Sequence, residues 1–596
     1  MASRIEDYAL IGDCRTAALV AQDGSIDWFS APRFDSGACF AALLGTPENG
    51  RWQIAPSEPI TGITRRYRPG TLVLETEFKT ASGAVRLVDA MAIGCATPTI
   101  VRQVVGLRGC PSLRMELIVR FDYGSIVPWV RRADGGISAI AGPDMLQFRG
   151  DVATRGENFT TMAEFTVAEG ERIGFTLAWH PSCEEPPPGL DVGTAIDGAD
   201  RWWRDWAQGC TYQGEYQEAV LRSLITLKAL TYAPTGGIVA AATTSLPEWP
   251  GGERNWDYRY CWLRDATFAL LALLGAGFHD EARAWREWLL RAVAGGPENP
   301  QIMYGLAGER RLMEYELPWL SGYEGSRPVR VGNAAHQQFQ LDVYGEVFDA
   351  LYQARRAGLA PLGDAWQMAK SVHKYLDTAW KEPDEGIWEV RGGRRHFTHS
   401  KVMAWVAFDR AVKAVEQFAL DGPVERWRAL RADVHDEVCR KGYDAGRNTF
   451  VQSYGSKELD ASLLMIPLVG FLPADDPRMI GTVEAIAREL GRNGFIDRYK
   501  SASAVDGLPP GEGSFLPCTF WLADNYALQG RGEEARRIFE QLLAIRNDVG
   551  LLAEEYDSEN HRMLGNLPQA FSHVAQINSA YTLGRSALGR GPGRVP

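Results

Sequence analysis

The chain has 596 residues, 45% hydrophobic, 10% aromatic and 23% charged, the composition of an ordinary folded protein and not of a disordered, collagenous or fibrous one. Its 63 basic and 75 acidic residues give a formal charge of −12, and no Lys/Arg run stands out, which argues against nucleic acid and against an anionic membrane surface as partners. Nine scattered cysteines without a CxxC pair argue against a disulfide framework and a thiolate zinc site. The first fourteen residues show no basic stretch followed by an apolar core, and no apolar run reaches the ~18 residues a membrane span needs. A cytoplasmic enzyme is the expectation.

Residues 1–180 read mainly as strands. Thr71–Phe78 and Ala84–Ala90 alternate apolar and polar residues around Ala81-Ser82-Gly83, and Leu113–Phe121 and Gly174–Trp179 do the same. Asp23-Gly24 and Asp134-Gly135 sit between such runs, where tight hairpins favour positive φ. Many short alternating strands with glycine turns predict an antiparallel β-sandwich. Residues 181–212 form a linker, with a breaker at Pro181–Gly189 and a short helix over Asp200–Trp206.

From 213 to 590 the period becomes helical. Twelve helices are expected near 213–231, 263–276, 279–294, 336–357, 363–381, 399–417, 424–441, 458–468, 477–491, 516–529, 532–546 and 569–588. Loops after the even helices are short, and those after the odd ones run to roughly 15–40 residues, a length that usually marks function. Helices running up and down place all the long loops at one end, as an all-α (α/α)6 barrel with its site at one mouth requires; an irregular helical domain with decorated loops stays open.

Five of the long loops carry candidate functional residues. Arg254–Asp265 holds Tyr258, Trp262, Arg264 and Asp265. Sugars present apolar C–H faces and rings of hydroxyls, so stacking aromatics beside Asp and Arg suit them; the bland reading is an aromatic cluster with Asp265 capping the next helix. In Glu385–Arg391, Glu389 lies beside Ile387 and Trp388, surroundings that raise a carboxyl pKa toward that of a general acid; the alternative is an exposed ion pair with Arg391. Glu554 and Glu555, ahead of Tyr556, offer a base for water or a plain solvated pair. Tyr323, Arg327, Arg330 and Asn333 in one loop, and Arg498-Tyr499 with Gly511–Phe515 in another, can reach a polar ligand or can serve only as salt bridges and turns. There is no HExxH, no Walker loop and no GxGxxG after a strand, and the nine histidines show no i, i+4 pair, which argues against a catalytic transition metal. His396 and His399 follow Glu389 closely and are candidates for ligand contact or for core.

Trp262-Leu-Arg-Asp265, Gly386-Ile-Trp-Glu389 and Ala553-Glu-Glu-Tyr-Asp557 resemble, in order and spacing, signature segments of the glucoamylase–trehalase family, glycoside hydrolase family fifteen. Ile5–Asp13, Gly24–Trp28, Arg327–Asn333, His396–Met403, Leu459–Leu464 and Leu564–Phe571 extend the likeness over nearly the whole chain, and toward the bacterial, trehalase-like branch. The resemblance implies a β-sandwich followed by an (α/α)6 barrel, and cleavage of an α-glucosidic bond with inversion. It implies Glu389 as general acid and Glu554 as general base, with Glu555, where some relatives have glutamine, as the rival for that role. Arg264, Asp265, Tyr258 and Arg498 would grip the sugar, with Trp262, Trp388, Tyr323, Arg327, Arg330, Asn333 and Glu555 as further candidates. Inverting chemistry needs the two carboxyls roughly 6.5–9.5 Å apart, with a water between, and no cofactor or metal. The expected substrate is trehalose, with malto-oligosaccharides as the alternative. A disaccharide phosphorylase or a non-catalytic sugar-binding protein is the reading of another class, and oligomeric state, a homo-oligomer included, is open.

Overall fold

The computed structural model describes residues 2–587 except 134, 297, 299, 361–364 and 502–505. The Asp134 half of the expected Asp134-Gly135 turn, the start of the helix expected at 363 and the last residues of the expected 213–590 stretch therefore lie outside the described residues.

Two antiparallel sheets of eight strands each form the N-terminal part. The runs read from alternation are strands Leu74–Lys79, Gly83–Met91, Ser112–Ile118 and Arg172–Pro181. The first two pair antiparallel with Glu75 opposite Val88. Asp23-Gly24 turns between Ala17–Ala21 and Ser25–Ser30, with Gly24 at φ 78°, a conformation glycine adopts without a Cβ penalty. One charge ties the two sheets together. Arg102, fully buried, pairs with Asp89 at 2.7 Å and donates across the sandwich to the carbonyls of Trp52 and Gly24. Asp89→Ala would strand that guanidinium, so it is expected to lower unfolding free energy by about 3–5 kcal/mol, read as a fall in the urea midpoint.

Helix α1 (Val192–Ala207) begins well before the expected Asp200, because Asp191 caps it through Thr194 N–H at 2.8 Å; Gly193 and Gly198, poor helix formers, obscure that start. The helices that follow are α2 (Gln217–Ala229), α3 (Ala266–Gly275), α4 (His279–Val293), α5 (Asp342–Arg356), α6 (Ala365–Ala379), α7 (Thr398–Phe418) and α8 (Val424–Lys441). Then come α9 (Met465–Leu468), α10 (Pro477–Glu489), α11 (Leu516–Leu528), α12 (Gly532–Ala544) and α13 (Ala570–Ala587). Helices α3, α5, α7, α9, α11 and α13 each pack on the next, and α13 closes on α3. Helices α2, α4, α6, α8, α10 and α12 surround this inner ring, which makes an (α/α)6 barrel, while α1 packs on the sandwich. Sequence character explains the sorting: α3 (ATFALLALLG) and α11 (LPCTFWLADNYAL) are apolar almost all round, whereas α10 and α12 keep a polar face for water. The helix expected at 458–468 is mostly a 3₁₀ turn, Ala461–Leu464, running into the single turn of α9. Asp460 caps the turn through Ser462 N–H, and Pro467, which lacks an N–H, sits just before the end.

The long loops all lead into the inner helices. The sandwich braces the first of them from behind: Trp28 Nε1 donates to Ala242 O at 2.8 Å, and buried Arg259 reaches Ser36 O at 3.0 Å and Tyr123 Oη at 2.8 Å while pairing with Asp257 at 2.7 Å. No described helix is long and apolar enough to cross a membrane.

Candidate active site

The loops enclose a cavity of about 620 Å³ at the N-terminal ends of the inner helices. Of the residues singled out in the sequence, Tyr258, Arg264, Asn333, Trp388, Glu389, Arg498 and Glu554 line it.

Glu389 closes the turn Gly386–Glu389, where its N–H bonds Gly386 O at 3.1 Å. Its own φ is +59°, a left-handed conformation that costs a non-glycine residue on the order of 1 kcal/mol. That strain is retained where the side chain has a task. Glu389 Oε1 accepts from Trp262 Nε1 at 2.7 Å and from Arg264 Nη1 at 3.3 Å, and Arg264 is anchored in turn by Asp265 at 3.1 Å and Ile387 O at 3.0 Å. Burial holds the Glu389 carboxyl above its usual pKa, against the pull of Arg264 and the Trp262 hydrogen bond. An ion pair with Arg391 does not form: Arg391 pairs with Glu314 instead. Asp265 does not cap α3 either; its carboxylate serves Arg264.

Across the cavity, Glu554 Oε1 accepts from Tyr258 Oη at 2.8 Å and Oε2 from the Asn566 N–H at 3.3 Å. Burial and the nearby charge of Glu248 push its pKa up, opposed by Arg498 and Tyr258. Gly565, at φ +72°, lies against it: a Cβ there would stand 2.4 Å from Glu554 Oε2. Gly565→Ala is therefore expected to displace that carboxylate and lower kcat by about 10²-fold, in a steady-state assay on protein whose circular dichroism is unchanged.

The next residue, Glu555, is turned away. It sits in the short strand Glu555–Asp557, fully buried, bonded to Gly513 N–H at 2.8 Å and 3.1 Å from Arg498. Glu554 precedes that strand and lines the cavity, and Glu555 is not among the lining residues, although the two carboxylates stay close. Glu248, Glu554 and Glu555 place carboxylate oxygens within 4.8 Å of one another, close enough to share a cation. Arg498 stands beside them with its guanidinium 2.8 Å from Glu248 and 2.7 Å from Glu512, so the protein itself supplies positive charge there.

Other candidates lie elsewhere. Trp262 and Asp265 act one step back, behind Glu389 and Arg264. Tyr323 is buried against the chain's beginning, its Oη bonded to Ser3 O at 3.1 Å and to Arg562 at 3.2 Å. Arg327 points to Ser321 O. Arg330 stacks on Trp256, 4.5 Å from its centroid, and donates to Glu253 O and Asn255 O. His396 stacks on Tyr454 outside the cavity, and His399 lies in α7, also outside it. These side chains are drawn away because backbone carbonyls and neighbouring carboxylates satisfy them first.

Glu248, Asp506 and Gln569, which no spacing singles out as site residues, also line the cavity, as do Trp256, inside the aromatic segment Arg254–Asp265, and Arg391, expected only as an ion-pair partner. Trp256 is held between Arg330 and Arg391, whose guanidinium lies 4.2 Å from its centroid, and donates to Glu248 at 3.2 Å. Glu248 sits in an aperiodic turn, Leu246-Pro247-Glu248-Trp249-Pro250, with no spacing signal; only the mixture of aromatic and acidic residues there could have marked it.

The family model described as glycosyl hydrolases family 15 matches residues 214–581, and one described as trehalase-like, N-terminal matches residues 1–156. A trehalase of Mycobacterium tuberculosis is 38% identical over 96% of this chain and 89% of its own, and a trehalase of Mycolicibacterium smegmatis is 38% identical over 96% and 90%. A bacterial glucoamylase solved with acarbose shares the fold, with TM-score 0.73, 12% identity and coverage of 99% of this chain and 95% of its own. Two acids lining one cavity at the mouth of an (α/α)6 barrel thus coincide with a family match over most of the helical part, and this chain belongs to the glycosyl hydrolases of family 15.

Proposed function

We propose that the chain is an inverting α,α-trehalase, in which Glu389 is the general acid and Glu554 the general base. One observation carries the assignment: two carboxyls from separate loops, Glu389 half-buried and Glu554 buried, line a single cavity, and each is oriented by its own donors, Trp262 and Arg264 for one, Tyr258 and the Asn566 N–H for the other. Burial keeps Glu389 protonated to higher pH than a free glutamate, so it can give its proton to the glycosidic oxygen as the bond breaks. Glu554 takes a proton from a water that attacks the opposite face of the anomeric carbon. The oxocarbenium-like charge that develops is stabilised by the surrounding carboxylates. Arg264 and Arg498 grip hydroxyls of the sugar being cleaved, and Trp388 offers an apolar face to its C–H groups.

Trehalose is the substrate favoured by the trehalase relatives, which match along nearly the whole chain. The test is release of glucose from trehalose, maltose and maltotetraose side by side, with phosphate present and absent. Turnover of trehalose alone, giving glucose and no glucose 1-phosphate, is expected. Preference for the maltose series would make the enzyme a glucan α-glucosidase, and glucose 1-phosphate would make it a phosphorylase. Nine free cysteines, several of them buried, fit a reducing compartment, and we place the reaction in the cytoplasm.

A further inference from the structure

Behind the base lies a buried cluster with more acids than its cations can neutralise. Glu248, Glu512, Glu554 and Glu555 face Arg498 and Arg254, all of them buried. Arg254 is further drawn to Asp506 at 2.6 Å. With every carboxyl ionised, negative charge would outnumber positive in a place screened from water, which costs several kcal/mol. Like charges sharing a site resolve this by retaining a proton.

Hydrogen-bond geometry shows where the proton belongs. Three carboxylate oxygens converge on Arg498 Nη2: Glu248 Oε2 at 2.8 Å, Glu512 Oε2 at 2.7 Å and Glu555 Oε1 at 3.1 Å. That nitrogen carries two N–H donors, and Glu248 and Glu512 take both. Glu555 Oε1 is left buried without a hydrogen bond, although the other Glu555 oxygen accepts from Gly513 N–H. Glu512 Oε1 is orphaned as well, but Glu555 is the one of the two whose carboxyl stands within 4.8 Å of those of both Glu248 and Glu554. A carboxylate at Oε1 needs a donor; a carboxylic acid brings its own and can turn it toward those neighbours. The strand neighbours across from Glu555 are Phe515 and Leu564, which bring no charge.

We propose that Glu555 is held as a neutral carboxylic acid and is a positioning residue for Glu554, donating its proton into the cluster so that Glu554 stays ionised to activate water. Burial, with Glu248, Glu512 and Glu554 as like-charged neighbours, raises the Glu555 pKa further than Arg498 lowers it, in agreement with that geometry. The proposal rests on Glu554 being the base.

The experiment uses Glu555→Gln, a neutral side chain of the same shape. In infrared difference spectra of wild type minus variant at neutral pH, the carbonyl band of a protonated carboxyl is expected to be present in wild type and missing from the variant. The acidic limb of the kcat/KM pH profile is expected to stay in place, and Tm to be unchanged, because the variant reproduces what the protein already holds. Absence of that band from the difference spectrum overturns the proposal. So does a fall of the acidic limb by about one pH unit or more, the response to deleting a real charge beside Glu554, and so does a variant that fails to fold. The infrared readout does not depend on which residue is the base. If Glu554→Gln keeps turnover, the reading of Glu554 fails while the band persists, so the two failures are distinguishable.

Discussion

Glu389→Gln is expected to lower kcat on trehalose by about 10²–10⁴-fold, or about 3–5 kcal/mol of barrier, with KM and Tm little changed. Glutamine keeps an acceptor for Trp262 Nε1, 2.7 Å away, and for Arg264, so the turn and its left-handed φ survive, but no proton is left to transfer. The effect depends on the leaving group. α-Glucosyl fluoride departs without protonation, so the variant is expected to hydrolyse it at a rate near wild type. An equal loss on both substrates would remove Glu389 from the role of acid. The pH profile carries the same assignment: burial raises the Glu389 pKa and Arg264 restrains it, so the alkaline limb marks loss of the Glu389 proton. Arg264→Met, which deletes the restraining charge, is expected to move that limb to higher pH.

Glu554→Gln is expected to cost at least as much, about 10²–10⁴-fold in kcat, and here the fluoride brings no relief, because water must still be deprotonated. Tyr258 Oη and the Asn566 N–H keep a partner in the amide oxygen, so the fold is retained. Contrasting the two variants on two substrates separates acid from base without reference to any relative. Turnover of the fluoride by Glu554→Gln at the wild-type rate would take the base role from this residue.

Much of this was legible in the residues. Alternation located the main strands, the change of period located the helices, and loop length placed the functional segments at one end of the barrel. The sorting of helices followed from composition, since α3 and α11 have no polar face to give to water. The two acids stood out only through the resemblance of their segments to those of the family, because each segment alone reads equally well as a surface ion pair or a solvated acidic pair. The adjacency of Glu554 and Glu555 could not be resolved in the same way. Their order does not say which of them lines the cavity; the strand Glu555–Asp557, whose pairing with Phe515 and Leu564 leaves Glu555 bonded to the Gly513 N–H, decides that.

Tyr323, Arg327 and Arg330 mark the other limit. Their loop is polar enough for a sugar, yet Ser3, Ser321, Glu253 and Asn255 supply nearer acceptors or partners, and proximity in space outranks suitability of type. Glu248 joins the cavity for the converse reason: nothing in its spacing marks it, and folding brings it to Arg498 and Glu554 from hundreds of residues away. Composition and periodicity by themselves determined the architecture, because burying apolar faces depends on patterns repeated along the chain. The electrostatics of the site, and which acid meets solvent, were decided by tertiary structure alone, because charges act through distance and burial, and neither is written in the order of residues.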